Sequence, residues 1–381
     1  MIIFLLTFFL LYGGAHLYTF VKARQAIGFG SFTGVLFAFF LVFMVLSPLL
    51  VRSIERQGHD VAARLMAYVG YTWMGGLFLF FSAALAVDLY RLLLFLAEKM
   101  WRLDLGMYAV SPRMAFYLPL VWGVSTAVYG YFEAWDIRTE RIVLTSSKIP
   151  PDLKKLTIVQ ISDVHLGLVV RQERLNMMLA RVRAASPDLL VCTGDLVDGQ
   201  INSLAGLAEQ FRKIQPRFGK YAVTGNHEFY AGLDHALAFA ERSGFTLLRG
   251  RTADVGGNIS LTGIDDPARK RNRGELEEEK RLLASLQSDK FKVLLKHRPV
   301  VDKSSLGRFD LQLSGHVHKG QLFPFNLLTF LFYPVRAGHT VLENGSSLYV
   351  SRGTGTWGPP IRFLAPPEVT VIELVPADGA E

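Results

Sequence analysis

Four long apolar runs, separated by short polar breaks, fill the N-terminal third of the chain and end at Phe132. Ile2–Val21 contains no formal charge, and Phe32–Val51 is equally long, with Pro48 near its end. Leu65–Val87 is the longest of the four, and its apolar pattern resumes past Asp88 and Arg91; Met114–Phe132 is the shortest. At about 1.5 Å per residue each run can cross a hydrocarbon core of about 30 Å, and helices are the natural form because every backbone polar group then finds its partner inside the segment. The pattern predicts a transmembrane region over 1–135 with helices at about 2–21, 32–51, 65–96 and 114–132, hence a multi-pass protein of the cell membrane in contact with its lipids. A cleaved signal peptide describes the first run poorly, since a basic n-region and a small-x-small site are missing. The basic residues flanking the spans divide five against five and leave the orientation unset; a cytoplasmic soluble part is the working expectation.

The pattern changes after a polar linker placed at 136–152. Over 153–377 short apolar runs alternate with amphipathic stretches. Strands are expected at Leu156–Ile161, Asp188–Thr193, Lys220–Thr224, Ile259–Ile264, Phe291–Lys296, Leu311–Leu313, Leu348–Ser351 and Glu368–Val375. Helices are expected at Arg171–Ala185, Ser203–Ile214, Leu233–Ser243 and Glu275–Leu286. Such alternation reads as an α/β domain with substantial sheet.

Polar motifs stand directly after the strands. Asp163-Val-His165 follows the first, Gly194-Asp195 with Asp198 the second, and Gly225-Asn226-His227-Glu228 the third. His297 follows the strand ending at Lys296, and Gly315-His316-Val-His318 follows the one at Leu311–Leu313. Strand ends on one edge of a sheet converge, so these motifs would aim Asp, Asn and His side chains at one place. These are ligand types for divalent metals of intermediate hardness. The charge supports two ions: about +4 from the metals, less two for Asp163 and Asp195 and one for a bridging hydroxide, leaves about +1 to attract a phosphate oxygen.

Composition adds little beyond this. The net charge of +8 suits a phosphate-bearing substrate or an anionic membrane surface. Nucleic acid is not expected, because no stretch interleaves aromatic residues with clustered Lys and Arg. The single cysteine, Cys192, lies in an apolar run and reads as a buried structural thiol.

The five motifs, in this order, resemble the calcineurin-like metallophosphoesterase superfamily over roughly residues 155–375, and look most like its membrane-associated bacterial branch. The tail from Tyr349-Val-Ser-Arg-Gly-Thr-Gly through Pro360-Ile-Arg-Phe and Pro366-Pro-Glu368 is similar to that branch's C-terminal signature. The resemblance implies a four-layer α/β/β/α sandwich around two divalent ions (Mn, Fe or Zn). It implies Asp163, His165, Asp195 and His318 on one ion, and Asp195, Asn226, His297 and His316 on the other. His227 would act over the phosphate as the catalytic residue, and Asp198 would be a partner just outside the ligand shell. The implied reaction is hydrolysis of a phosphodiester, phosphomonoester or pyrophosphate bond by hydroxide held between the ions, with a lipid-linked substrate suggested by the spans. The alternative is a catalytically silent metal-binding membrane sensor or scaffold. Lys319 stands where this branch usually has glycine. The stretch Leu322–Val335, with five Phe or Tyr, reads either as a membrane-dipping or acyl-lining segment or as a pair of core strands. The basic run Arg269, Lys270, Arg271, Arg273 reads as a solvated loop before an acid-capped helix, the alternative being contact with lipid phosphates or substrate.

Overall fold

The computed structural model describes residues 2–199, 204–269 and 273–377. They form two compact units: Met1–Phe132 with Gly358–Phe363, and Glu133–Trp357 with Leu364–Glu381. Lys270, Arg271 and Ser203 of the expected elements lie outside the described residues.

Helices stand where the four apolar runs lie: α1 (Ile2–Ile27), α2 (Ser31–Arg56), α3 (Asp60–Trp101) and α4 (Met114–Glu133). Among the described residues, two of them rather than four, α2 and α3, are long and apolar enough to cross a membrane. The physical reason is dilution. Pro119, Ser125, Thr126 and three tyrosines interrupt α4. Small residues bring α2 and α3 together: a Cβ at Gly70 would lie 2.6 Å from Ser47 Oγ. His16 makes a helix–helix contact, accepting from Trp73 Nε1 at 2.9 Å while its Nδ1 meets Tyr12 O at 2.7 Å. Asp88 pairs with Lys22 as well as with Arg91, the latter at 3.6 Å, and accepts from Tyr18. The short segment Gly358–Phe363 belongs to this unit: Arg362 N donates to Gly130 O at 2.9 Å, and the Phe363 ring meets those of Trp122 and Tyr129.

The second unit holds two six-stranded sheets. In chain order the strands are β1 (Arg138–Ser146), β2 (Leu156–Ile161), β3 (Leu189–Cys192), β4 (Lys220–Ala222), β5 (Thr246–Leu247), β6 (Arg251–Val255), β7 (Ile259–Ile264), β8 (Phe291–Lys296), β9 (Leu311–Ser314), β10 (Gly338–Val341), β11 (Ser347–Val350) and β12 (Glu368–Pro376). One sheet runs β1-β12-β2-β3-β4-β5 and the other β10-β11-β9-β8-β7-β6. Strands β2 to β5 are mutually parallel, as are β7, β8, β9 and β11. Within 136–152, where a linker is expected, Arg138–Ser146 instead forms β1 and pairs in parallel with β12 along its whole length.

The period of two along the central strands sorts their side chains between two cores. Ile158, Leu189 and Val191 join Leu261, Val293, Leu295 and Leu313 in the cluster between the sheets. The alternate positions Val159, Ile161, Leu190 and Cys192 pack with Leu175, Met178 and Leu179 of α5 (Gln172–Ala184) and with Phe211 of α6 (Ala205–Arg212). Strands buried on both faces are continuously apolar, which is why their ends stand out as abrupt polar motifs. Two further helices of this unit follow β4: α7 (Asn226–Ala231) and α8 (Leu233–Arg242). On the far side of the second sheet, Leu283 of α9 (Arg273–Ala284) packs with Ile264 and Leu294. Leu322–Val335 is not a strand pair: Phe325–Phe332 forms a helix, α10, with no buried residue.

Candidate metal centre

Five chain segments converge at the carboxyl ends of β2, β3, β4, β8 and β9. Their loops are laced by backbone bonds. Asp163 N donates to Gly194 O and His165 N to Asp195 O, both at 3.0 Å, and Gly315 N donates to His297 O at 2.8 Å. The close approach requires glycine at 315, where a Cβ would stand 2.0 Å from Ser162 Oγ and 2.2 Å from Asp163 Oδ2. Across the sheets, Gln160 Nε2 donates to Thr193 Oγ1 at 2.8 Å and to Ser314 O at 3.0 Å.

The backbone at this meeting point is strained. Asp163, His165, Asp195, His316 and His318 all have positive φ, between 49° and 72°. Each such non-glycine residue costs on the order of 1–3 kcal/mol, and it persists only where surrounding structure over-determines it. A cluster of five on one set of side chains marks the region built for something other than stability.

Three groups of donors result, in each of which the candidate ligand atoms lie within 4.8 Å of one another: Asp163, His165 and His318; His165, Asp195 and His227; and Asp195, His297 and His316. His165 Nε2 lies 3.1 Å from His318 Nε2, and His297 Nε2 lies 3.1 Å from both His316 Nδ1 and Asp195 Oδ2. His318 Nε2 is 3.4 Å from Asp163 Oδ1, and His165 Nε2 is 3.8 Å from Asp195 Oδ2. Asp195 is therefore shared. Asp163, His165, Asp195, Asn226, His297 and His318 are all buried. Asp198 lies just outside, its Oδ1 2.9 Å from His227 Nδ1.

Charge and satisfaction both fit cations. Asn226 Oδ1 is buried with no hydrogen-bond partner among the described residues. An orphaned acceptor carries a cost of about 1–3 kcal/mol unless something accepts its lone pair, and a cation does so. Burial pushes the Asp163 carboxyl up to about 6 and the imidazoles of His165 and His316 down to about 4 and about 3, so those two rings are neutral and present lone pairs. Burial also opposes charge on His297 and His227, but Asp195 for the first and Asp198 with Asp195 for the second outweigh it and raise them to about 10 and about 9. Asp195 is held well below the usual carboxylate range: burial raises it, and His297 and His227 more than reverse that. The buried carboxylates thus favour positive charge beside them, as a divalent cation would supply.

A family model described as calcineurin-like phosphoesterase matches residues 156–320. A protein of Aquifex aeolicus named an uncharacterized metallophosphoesterase is 36% identical over 254 residues, covering 66% of this chain and 97% of that one. This chain is a calcineurin-like metallophosphoesterase. A Campylobacter jejuni metallophosphoesterase is 28% identical over 98% of both chains, and a Danio rerio protein named transmembrane protein with metallophosphoesterase domain is 33% identical over 68% of this chain and 62% of its own. Among solved structures, a 5'-nucleotidase precursor of Thermus thermophilus aligns over 58% of this chain and 54% of its own at 20% identity and a TM-score of 0.36. The protein is accordingly a hydrolase of phosphoesters, of a family that uses two divalent ions, and its donor clusters can hold them.

The metallophosphoesterase site also contains residues whose roles the motifs do not reveal. Glu228 is buried, and its carboxylate accepts from the backbone N–H of Gly225 at 2.6 Å, Leu196 at 2.7 Å and Asp195 at 3.0 Å. It ties the β3 and β4 loops together across the site; its place in the first turn of α7 was the available signal. Burial raises Glu228 to about 7, with Asp195 adding to the shift. Stranding buried N–H groups costs roughly 1–3 kcal/mol each, so Glu228→Ala is expected to destabilise the protein by about 3 kcal/mol or more, and Glu228→Gln by about half that. Thermal unfolding in detergent checks the order. Ser162 Oγ donates to Asp163 Oδ2 at 2.5 Å and Thr193 O meets His297 Nδ1 at 2.8 Å, which orients both side chains. Aromatic rings rim the site: Tyr230 and Trp357 lie 5.4 and 6.0 Å from His227, and Tyr333 lies 5.5 Å from His316.

Proposed function

We propose that the protein is a membrane-anchored phosphoesterase in which Asp163, His165, Asp195 and His318 hold one divalent ion and Asp195, Asn226, His297 and His316 the other. The observation that carries this reading is the sharing of Asp195 between two donor clusters whose members hold strained backbone conformations. When bound, the ions supply Lewis acidity and an activated water to the phosphorus centre. The protein's own groups do the rest. Asp163 and Asp195 fix the charge of the centre, and neutral Asn226 adds an oxygen ligand without cancelling the attraction for phosphate. His227, with Nδ1 held by Asp198, keeps Nε2 as its available nitrogen, and Asp198 with Asp195 favours its protonated form against the burial that opposes it. It delivers that proton to the leaving oxygen.

The clusters on the two faces of the paired sheets support a four-layer α/β/β/α arrangement, and the two apolar helices α2 and α3 support a multi-pass anchor. A site carried on such an anchor suits a phosphodiester, phosphomonoester or pyrophosphate substrate linked to a lipid. The direct test is hydrolysis of bis(p-nitrophenyl) phosphate by the purified chain with manganese. Turnover abolished by a chelator and restored by added metal is the expected result; no turnover in any metal is the behaviour of a silent scaffold.

A further inference from the structure

The helix α10 (Phe325–Phe332, sequence FNLLTFLF) carries six apolar side chains, none of them buried, with Asn326 and Thr329 together on one face. Leu327, Leu328 and Phe330 are 51–58% exposed, and Leu331 and Phe332 reach 74% and 77%. A soluble domain has no reason to keep such a helix in water, and contiguous apolar surface of this kind marks a binding or membrane surface. Its ends are basic. Lys319 precedes it and Arg336 follows it. Arg336 donates to Asn326 O at 2.9 Å and lies over the Phe330 ring at 4.7 Å, so its charge is fixed beside the apolar face. The helix is also tied to the candidate metal centre: Tyr333 closes it, with its ring 5.5 Å from that of His316, and Lys319 directly follows His318.

We propose that α10 is an interfacial membrane-docking helix, seated in the headgroup and upper acyl region of the bilayer in which the chain's own apolar helices sit. The occupant is lipid rather than protein for two reasons. Among the described residues α2 and α3 are long and apolar enough to cross a membrane, and the chain tethers this unit to them. The flanking Lys319 and Arg336 complement anionic headgroups, and aromatic residues (Tyr333, and Trp357 at 52% exposure) suit the level where such rings settle. Docking there sets the mouth of the site at headgroup depth, which selects substrates whose phosphorus lies at the membrane surface. This rests on the reading of the chain as a membrane-anchored phosphoesterase.

The test uses the full chain in nanodiscs containing phosphatidylglycerol. A nitroxide is placed at Leu331→Cys, with Leu327→Cys as a second site and Glu277→Cys on α9 as the aqueous control; Cys192 is fully buried. Relaxation enhancement by oxygen is compared with that by a water-soluble nickel chelate. The expected result is an oxygen-to-nickel ratio severalfold higher at Leu331 and Leu327 than at Glu277. A ratio at both sites equal to that of Glu277, or protection from both reagents as a second copy would give, overturns the proposal. Hydrolysis of bis(p-nitrophenyl) phosphate by the same labelled protein reports separately on the catalytic reading. A docked helix on an inactive protein ends that reading alone, and an aqueous helix on an active protein ends the docking alone.

Discussion

Asp195→Ala is expected to leave the purified protein with less than one divalent ion per chain and to lower phosphodiester turnover by about 10³-fold or more. Its Oδ2 lies 3.1 Å from His297 Nε2 and 3.8 Å from His165 Nε2, so among the described residues it is the carboxylate shared by both histidine groups. Without it, the second cluster offers two imidazoles and a neutral amide to a dication, and nothing anionic separates one ion from the other. The fold should survive, because Glu228 still receives the backbone N–H of residue 195 at 3.0 Å and of Leu196 at 2.7 Å. The check is metal analysis alongside thermal unfolding. A variant that keeps two ions at full rate contradicts the ligand assignment; one that loses metal and fold together transfers the effect to stability.

His227→Ala should behave differently: turnover falls by about 10²–10⁴-fold while both ions remain bound. Its imidazole belongs to the donor group with His165 and Asp195, but its Nδ1 is committed to Asp198 at 2.9 Å, and its backbone N–H rather than its ring serves Asp195, donating to Oδ1 at 2.8 Å. That backbone bond persists in the alanine variant. The loss should fall on kcat and shrink when the leaving group is p-nitrophenolate, which departs without a proton, relative to an alkoxide. Equal losses on both leaving groups, or loss of metal, would assign His227 to the ion shell instead of to proton delivery.

These residues were legible because the chemistry sits at sharp boundaries. An apolar strand buried on both faces ends abruptly in Asp-x-His, Gly-Asp, Gly-Asn-His or Gly-His-x-His, and the sequence shows that transition directly. Glu228 was visible in its motif but its role was not, since a carboxylate that caps backbone N–H groups from two loops depends on their meeting in space. Strand β1 was hidden for a related reason. Arg138, Glu140 and Arg141 break its apolar run, and its partner β12 is the last strand of the chain, so long-range pairing rather than local propensity decides it. In α10, a short apolar run fits strand and helix equally by composition, and only the structure separates them. The four apolar runs became four helices, and among the described residues α2 and α3 are the two that meet a membrane span's length and apolarity, tyrosines and polar residues diluting α4.

The central claim is that donors from five loops hold two cations around one shared aspartate. Anomalous diffraction from the manganese-loaded protein tests it most directly. Two peaks per chain are expected, one among Asp163, His165 and His318, the other among Asn226, His297 and His316, with Asp195 in reach of both. A single peak, or peaks away from Asp195, would contradict it.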